Sequence, residues 1–282
     1  MISTTNAIRA GVMAWPVSHS LSPLLHRYWL KKYAINGTYD PIAVTPNEFP
    51  AMLRSLPARG FSGVNVTLPH KIAALKSVDT LDGVAQRTGA VNTIIVKDDG
   101  TLHGFNTDGF GFMANIVNVQ PDWVAEAGPA VVLGAGGAAR AVCVALQDAG
   151  APEIRILNRT RAKAENLAAN LGLPIAVHDW EERHEALREG AFLVNTTSLG
   201  MTGMPSLDLD LAALPPDASV CDIVYSPLET PLLAAARARG NPTIDGLGML
   251  LHQARPGFEA WFGHAPDVTD SLRQAMLSAM GQ

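Results

Sequence analysis

Short apolar runs alternate with longer stretches of helical periodicity along almost the whole chain. Over residues 8–13, 39–44, 63–66 and 91–96 the apolar positions are compact and bounded by turn residues, as in strands; over 24–33 and 46–56 they recur at helical spacing. This alternation predicts an α/β unit. Asp98-Asp99-Gly100, between 91–96 and a further strand at 102–105, is a hairpin signal, because Asp-Gly supplies the positive φ that tight turns need. The first unit is therefore expected to be mixed rather than purely parallel.

A second cycle starts after 121–128. Residues 130–133 form a continuous apolar strand, 137–149 a helix, 154–157 a second strand and 161–171 a second helix. Further strands are expected at 174–177, 192–195, 220–223 and 243–244, so a doubly wound sheet spans roughly 128–245. Only helical patterns follow, at 246–262 and 268–280. One sheet does not need both, so the last helices are expected to return to the first unit. The predicted fold is an α/β domain (1–108 with 246–282) and a Rossmann-type doubly wound domain (109–245), with any ligand site expected in the cleft.

The totals narrow the function classes. At 282 residues, 48% hydrophobic and 17% charged, the chain can bury two cores. A formal net charge of −5 offers no basic face for nucleic acid. The first ten residues lack a charged start followed by an apolar run, and no segment nears the roughly 20 apolar residues a membrane span needs, so a cytoplasmic protein is expected. Cys143 and Cys221 have no metal or redox spacing and read as buried small hydrophobes.

Gly134-Ala135-Gly136-Gly137-Ala138-Ala139 follows one predicted strand directly and opens a helix, the context a dinucleotide fingerprint requires. Gly134 allows the tight turn, Gly136 lets backbone N–H groups approach a pyrophosphate, and Ala139 permits close helix–strand packing. At the end of the next strand an acid would bind the ribose 2′-hydroxyl of NAD. Asn158-Arg159-Thr160 stands there instead, with Lys163 after it, and this set favours the 2′-phosphate of NADP.

Candidates for chemistry close several early segments: Asn65 to Lys71, Gly89 to Thr93, and Asn106 to Gly109. Singly, Lys71 reads equally as a helix start, Asn92 as a turn residue and Asp108 as an N-cap. His19, His70 and His252 lack metal-ligand spacing, and no metal is expected.

Together with Ser18-His19-Ser20-Leu21-Ser22-Pro23, Asn195 to Met201 and Asp245 to Gln253, these motifs closely resemble the shikimate dehydrogenase family, including its quinate-using relatives. The resemblance covers nearly the whole chain and implies that 1–108 with 246–282 is the substrate-binding and catalytic domain and 109–245 the NADP-binding one. It implies reversible NADPH-dependent reduction of 3-dehydroshikimate to shikimate, on the route to aromatic amino acids, with Lys71 and Asp108 as the catalytic pair. Lys71 would pass the proton and Asp108 would orient it and the substrate hydroxyl. By the same motif matches, Ser20 and Ser22 would bind the carboxylate, and Thr67, Asn92, Tyr225 and Gln253 the rest of the substrate. Thr196, Thr197, Ser198, Gly246 and Met249 would line the cofactor, although Met249 reads equally as core packing. Ala14-Trp15-Pro16 departs from the family's usual Gly-Asn-Pro, and Ser226 stands where an Asn often follows the tyrosine. The alternatives left open are a quinate or aminoshikimate dehydrogenase and a non-catalytic dinucleotide-binding module. A homodimer is one open assembly.

Overall fold

The computed structural model describes residues 7–18 and 20–281. His19, for which no role is expected, lies outside the described residues, as does most of the first stretch. By contacts the chain divides into two units: 7–107 with 253–281, and 108–252.

In the first unit, β1 (Ile8–Ala14), β2 (Gly37–Ala43), β3 (Gly63–Val66), β4 (Thr80–Leu81), β5 (Thr93–Val96) and β6 (Leu102–Phe105) form one sheet in the order β2-β1-β3-β5-β6-β4. β1 runs parallel to β2 and β3, while β5 is antiparallel to β3 and β6. The sheet is mixed as expected. In the β5–β6 hairpin only Gly100 takes positive φ, at 81°; Asp99 serves instead through its carboxylate, which accepts from the Thr101 N–H and hydroxyl.

Four helices punctuate these strands: α1 (Ser22–Lys32), α2 (Phe49–Arg54), α3 (Lys71–Ser77) and α4 (Gly83–Thr88). One face of the sheet buries Met13, Val64 and Ile94 with Phe49, Leu53 and Ala74. The aromatic side of the unit joins Trp29 of α1 to Phe258 and Tyr39 of β2 to Trp261, both partners coming from the C-terminal end of the chain.

In the second unit, α5 (Asp108–Val119) leads into β7 (Ala130–Leu133), α6 (Gly137–Asp148), β8 (Ile154–Leu157), α7 (Arg161–Leu171), β9 (Ile175–His178), β10 (Phe192–Asn195), β11 (Ser219–Asp222), α8 (Pro231–Ala238) and β12 (Thr243–Ile244). The strand order is β12-β11-β10-β7-β8-β9 and every pair is parallel. Numbered within the unit this is the doubly wound order 3-2-1-4-5-6 read from the β9 edge. Both faces are covered, which explains the continuous apolar runs. Ala130, Val132, Phe192 and Val194 point to one core, and Val131, Leu133 and Leu193 to the other.

The helical pattern over 246–262 resolves into α9 (Gly246–Gln253) and α10 (Arg255–Phe262), because Pro256 starts a new helix rather than continuing one. α9 packs with the second unit: Gly248 lies against the Asn115 amide of α5, where a Cβ would overlap it. α10 and the last helix, α11 (Asp270–Ala279), belong to the first unit, α10 against β1, β3 and β5 and α11 against α1. The expected boundary at 245/246 thus falls one helix earlier than the division by contacts. No described helix is long and apolar enough to cross a membrane.

Candidate active site

The first unit gathers its polar residues at the end of β3. Thr67 follows the strand, its N–H donating to the Met13 carbonyl, and Lys71 heads α3 half-buried, its carbonyl accepting from the Val91 N–H. The Val66 N–H donates to the Asn92 carbonyl. Thr67, Lys71 and Asn92 are therefore tied together through the backbone.

Asn92 is buried. Its Oδ1 accepts from the Thr107 N–H and the Thr93 hydroxyl, both at 2.9 Å, and Nδ2 donates to the Thr107 hydroxyl. Beside it Asn65 donates to Thr93 and accepts from the Tyr39 hydroxyl at 2.6 Å. These amides set the shape of the turn that leads to Asp108, which is itself buried as the first residue of α5. By contacts Asp108 belongs to the second unit and Lys71 to the first.

Ser22 opens α1 with Pro23 behind it, and the Ser20 hydroxyl accepts from the Ser22 N–H at 3.3 Å. Both serines are half-buried. His70 has a packing role: its ring stacks on Phe49, Nε2 contacts the Val44 carbonyl, and burial lowers its pKa. Among the described residues no group of three or more His, Cys, Asp or Glu could hold a metal.

In the second unit Gly134 follows β7 with φ 110°, and a Cβ there would meet the Thr196 hydroxyl at 2.6 Å. Only glycine fits. A Cβ on Gly136 would meet nothing within 4 Å, so the backbone at the start of α6 faces open space. Gly137 begins that helix, Ala135 and Ala138 are partly buried, and Ala139 is fully buried in the core. An open helix N-terminus of this kind suits a pyrophosphate.

Asn158 follows β8 and its Nδ2 donates to the Thr160 carbonyl. Thr160 is the N-cap of α7, yet its side chain makes no capping bond, and the first turn holds no acid. Arg159 and Lys163 are exposed and appear in none of the ion pairs found among the described residues, whereas Arg161 bonds to Glu165 and Asp179. The residues present fit a dinucleotide that carries an additional phosphate.

Thr196 donates to the Leu133 carbonyl at 2.6 Å, Thr197 bonds to Asn195, and Ser198 is exposed. Gly246 opens α9 in tight contact with the Ile223 carbonyl. Met249 is 7% exposed and belongs to the sheet's core cluster. Tyr225 is half-buried three residues beyond β11, where burial raises its pKa, and Gln253 ends α9 half-buried.

One residue of the site escaped the sequence reading. Asp222 ends β11 fully buried, and its carboxylate collects three hydrogen bonds. The signal available was its position one residue before the end of the strand expected at 220–223, near the edge where doubly wound sheets carry their ligand groups.

Comparison with known proteins gives a consistent picture. Residues 12–94 match the family model of the shikimate dehydrogenase substrate binding domain, 124–201 that of shikimate / quinate 5-dehydrogenase, and 246–277 that of the shikimate 5'-dehydrogenase C-terminal domain. The chain is 60% identical, over 95% of its own length and 98% of the relative's, to a shikimate dehydrogenase (NADP(+)) of Paramagnetospirillum magneticum. Among solved structures it resembles the Thermus thermophilus shikimate 5-dehydrogenase in complex with NADP(H) and shikimate, with a TM-score of 0.84, 37% identity, and coverage of 97% and 98% of the two chains. It also resembles the quinate dehydrogenase from Corynebacterium glutamicum in complex with NAD, with a TM-score of 0.89, 30% identity, and coverage of 96% and 99%.

Proposed function

The chain belongs to the shikimate dehydrogenase family, and we propose that it catalyses the reversible NADPH-dependent reduction of 3-dehydroshikimate to shikimate in aromatic amino acid biosynthesis. The observation that carries this reading is the exposed Arg159 and Lys163 beside an open glycine turn, which a phosphorylated dinucleotide would satisfy. The cofactor supplies hydride.

The chain's own residues do the rest. As carbonyl becomes alkoxide, oxygen gains negative charge, and a lysine ammonium at hydrogen-bond distance both stabilises that charge and delivers the proton. Lys71 has this role in the proposal, and Asp108 orients it and the substrate hydroxyl. Ser20 and Ser22 offer hydroxyls to the carboxylate, while Thr67, Asn92, Tyr225 and Gln253 offer neutral donors and acceptors to the ring hydroxyls. Much of Asn92 is already engaged with Thr93 and Thr107, so its proposed contribution combines shaping the turn with contacting the substrate. Gly134 to Ala138 hold the pyrophosphate, Asn158 to Thr160 with Lys163 the adenosine phosphate, and Thr196 to Ser198, Gly246 and Met249 the nicotinamide half. In this proposal the enzyme works in the cytoplasm, where an NADPH-dependent biosynthetic step would operate.

The second reading, a quinate dehydrogenase, draws on the similarity to the Corynebacterium glutamicum enzyme. Purified protein should be assayed for kcat/KM with shikimate and quinate, each with NADP+ and NAD+. The highest value is expected for shikimate with NADP+. Quinate with NAD+ in first place would overturn the assignment in favour of the second reading.

A further inference from the structure

β10 and β11 are neighbours in register, and their last residues, Asn195 and Asp222, stand opposite each other at the carboxyl edge of the sheet. Asp222 Oδ1 accepts from Asn195 Nδ2 and from the Val224 N–H, both at 3.0 Å, and Oδ2 accepts from the Thr230 hydroxyl at 2.7 Å. Asn195, Asp222 and Thr230 are all 0% exposed. A buried carboxylate is costly unless donors converge on it, and packing alone would be served by an apolar residue.

The network continues outward. Asn195 Oδ1 accepts from the Thr197 N–H at 3.0 Å and the Thr197 hydroxyl at 2.7 Å, and its Nδ2 also donates to the Leu199 carbonyl. The residue between them, Thr196, bonds to the Leu133 carbonyl and occupies the space a Cβ on Gly134 would need. An unbroken chain of contacts therefore runs from the Asp222 carboxylate, through the Asn195 amide and the 196–199 loop, to the glycine turn. Removing the carboxylate would leave three buried donors without their acceptor and free that loop to move.

We propose that Asp222 is a positioning residue for the dinucleotide site, its buried carboxylate fixing the Asn195 amide and thereby holding the 196–199 loop against the Gly134 turn. The proposal rests on the dinucleotide reading of that turn. Asp222 touches the cofactor only through others, so its effect belongs in cofactor affinity rather than in the chemical step.

The test is a double-mutant cycle read in the Kd for NADP+, on chains shown by circular dichroism to be folded. Asp222→Ala should weaken NADP+ at least about tenfold. Asp222→Asn, which keeps an acceptor oxygen for Asn195 and Val224, should return to within about threefold of wild type. In an Asn195→Ala background, Asp222→Ala should add less than about twofold. If Asp222→Ala does not fold, Asn195→Ala alone must show the tenfold loss.

A wild-type Kd in the folded Asp222→Ala chain, or the full loss persisting without the Asn195 amide, would overturn the proposal. Wild-type protein that binds no NADP+ would sink the dinucleotide reading, and this role with it.

Discussion

Arg159 and Lys163 stand at the start of α7 with no acidic residue in its first turn. The helix macrodipole disfavours cations there unless an anion joins them. A charge-assisted bond to phosphate contributes roughly 1.5–3 kcal/mol, so Arg159→Ala should weaken NADPH by about ten- to a hundredfold while changing NADH little. Fluorescence titration with both cofactors checks this, and equal losses would make the arginine structural. His26 gives a pH prediction at the same scale. It is fully buried and stacked parallel on Tyr39, with centroids 3.8 Å apart, and burial, partly offset by the Asn65 side chain, lowers its pKa from 6.5 to about 3. The unfolded chain takes up this proton near pH 6.5 and the folded one only near 3. The stability His26 contributes is thus intact above 6.5 and lost as pH falls, by up to about 1.4 kcal/mol per pH unit. His26→Phe should keep the stack and flatten urea-unfolding stability over that window; an unchanged slope would assign the acid sensitivity elsewhere.

At the scale of elements, α10 closes one face of the first unit's sheet. Trp261 is 5% exposed, donates its indole N–H to the Ile94 carbonyl at 3.0 Å, and packs on Phe262 and Tyr39. Trp261→Ala should cost about 3–5 kcal/mol in denaturant unfolding, and a loss below about 1 kcal/mol would mean that α10 is dispensable to that core. How well an element could be read depended on how it is buried. Strands 63–66, 130–133, 154–157 and 192–195 have the bounds their apolar runs predict. Three of them lie in the sheet covered on both faces, where nearly every position is apolar, Arg155 and Asn195 excepted. α4 and α8 are six and eight residues long, too short for periodicity to stand out, and neither was predicted. For α8 the signal lay in its start, since Thr230 caps the Leu233 N–H and Pro231 sits in the first turn. The break between α9 and α10 was likewise written in Pro256 rather than in the periodicity.

For the whole molecule, the doubly wound sheet of the second unit and the return of the last helices to the first unit were legible because strand, glycine turn and helix follow in a fixed order along the chain. The Asp222–Asn195 pair was not legible, since 27 residues separate the partners and each alone looks like the polar end of an apolar strand. The first unit's amide cluster of Asn65, Asn92 and Thr107 was hidden in the same way, through contacts 15 to 28 residues apart. The central claim is that one protein joins a phosphorylated nicotinamide cofactor to lysine-assisted proton transfer on shikimate. It is tested most directly by mixing shikimate and NADP+ with wild-type protein and with Lys71→Ala, and following the absorbance of reduced nicotinamide. Wild type should form NADPH only when shikimate is present, and Lys71→Ala should lower kcat at least about a hundredfold with a modest change in KM. Bound NADP+ without shikimate-dependent reduction, or an unchanged kcat in the variant, would contradict the account.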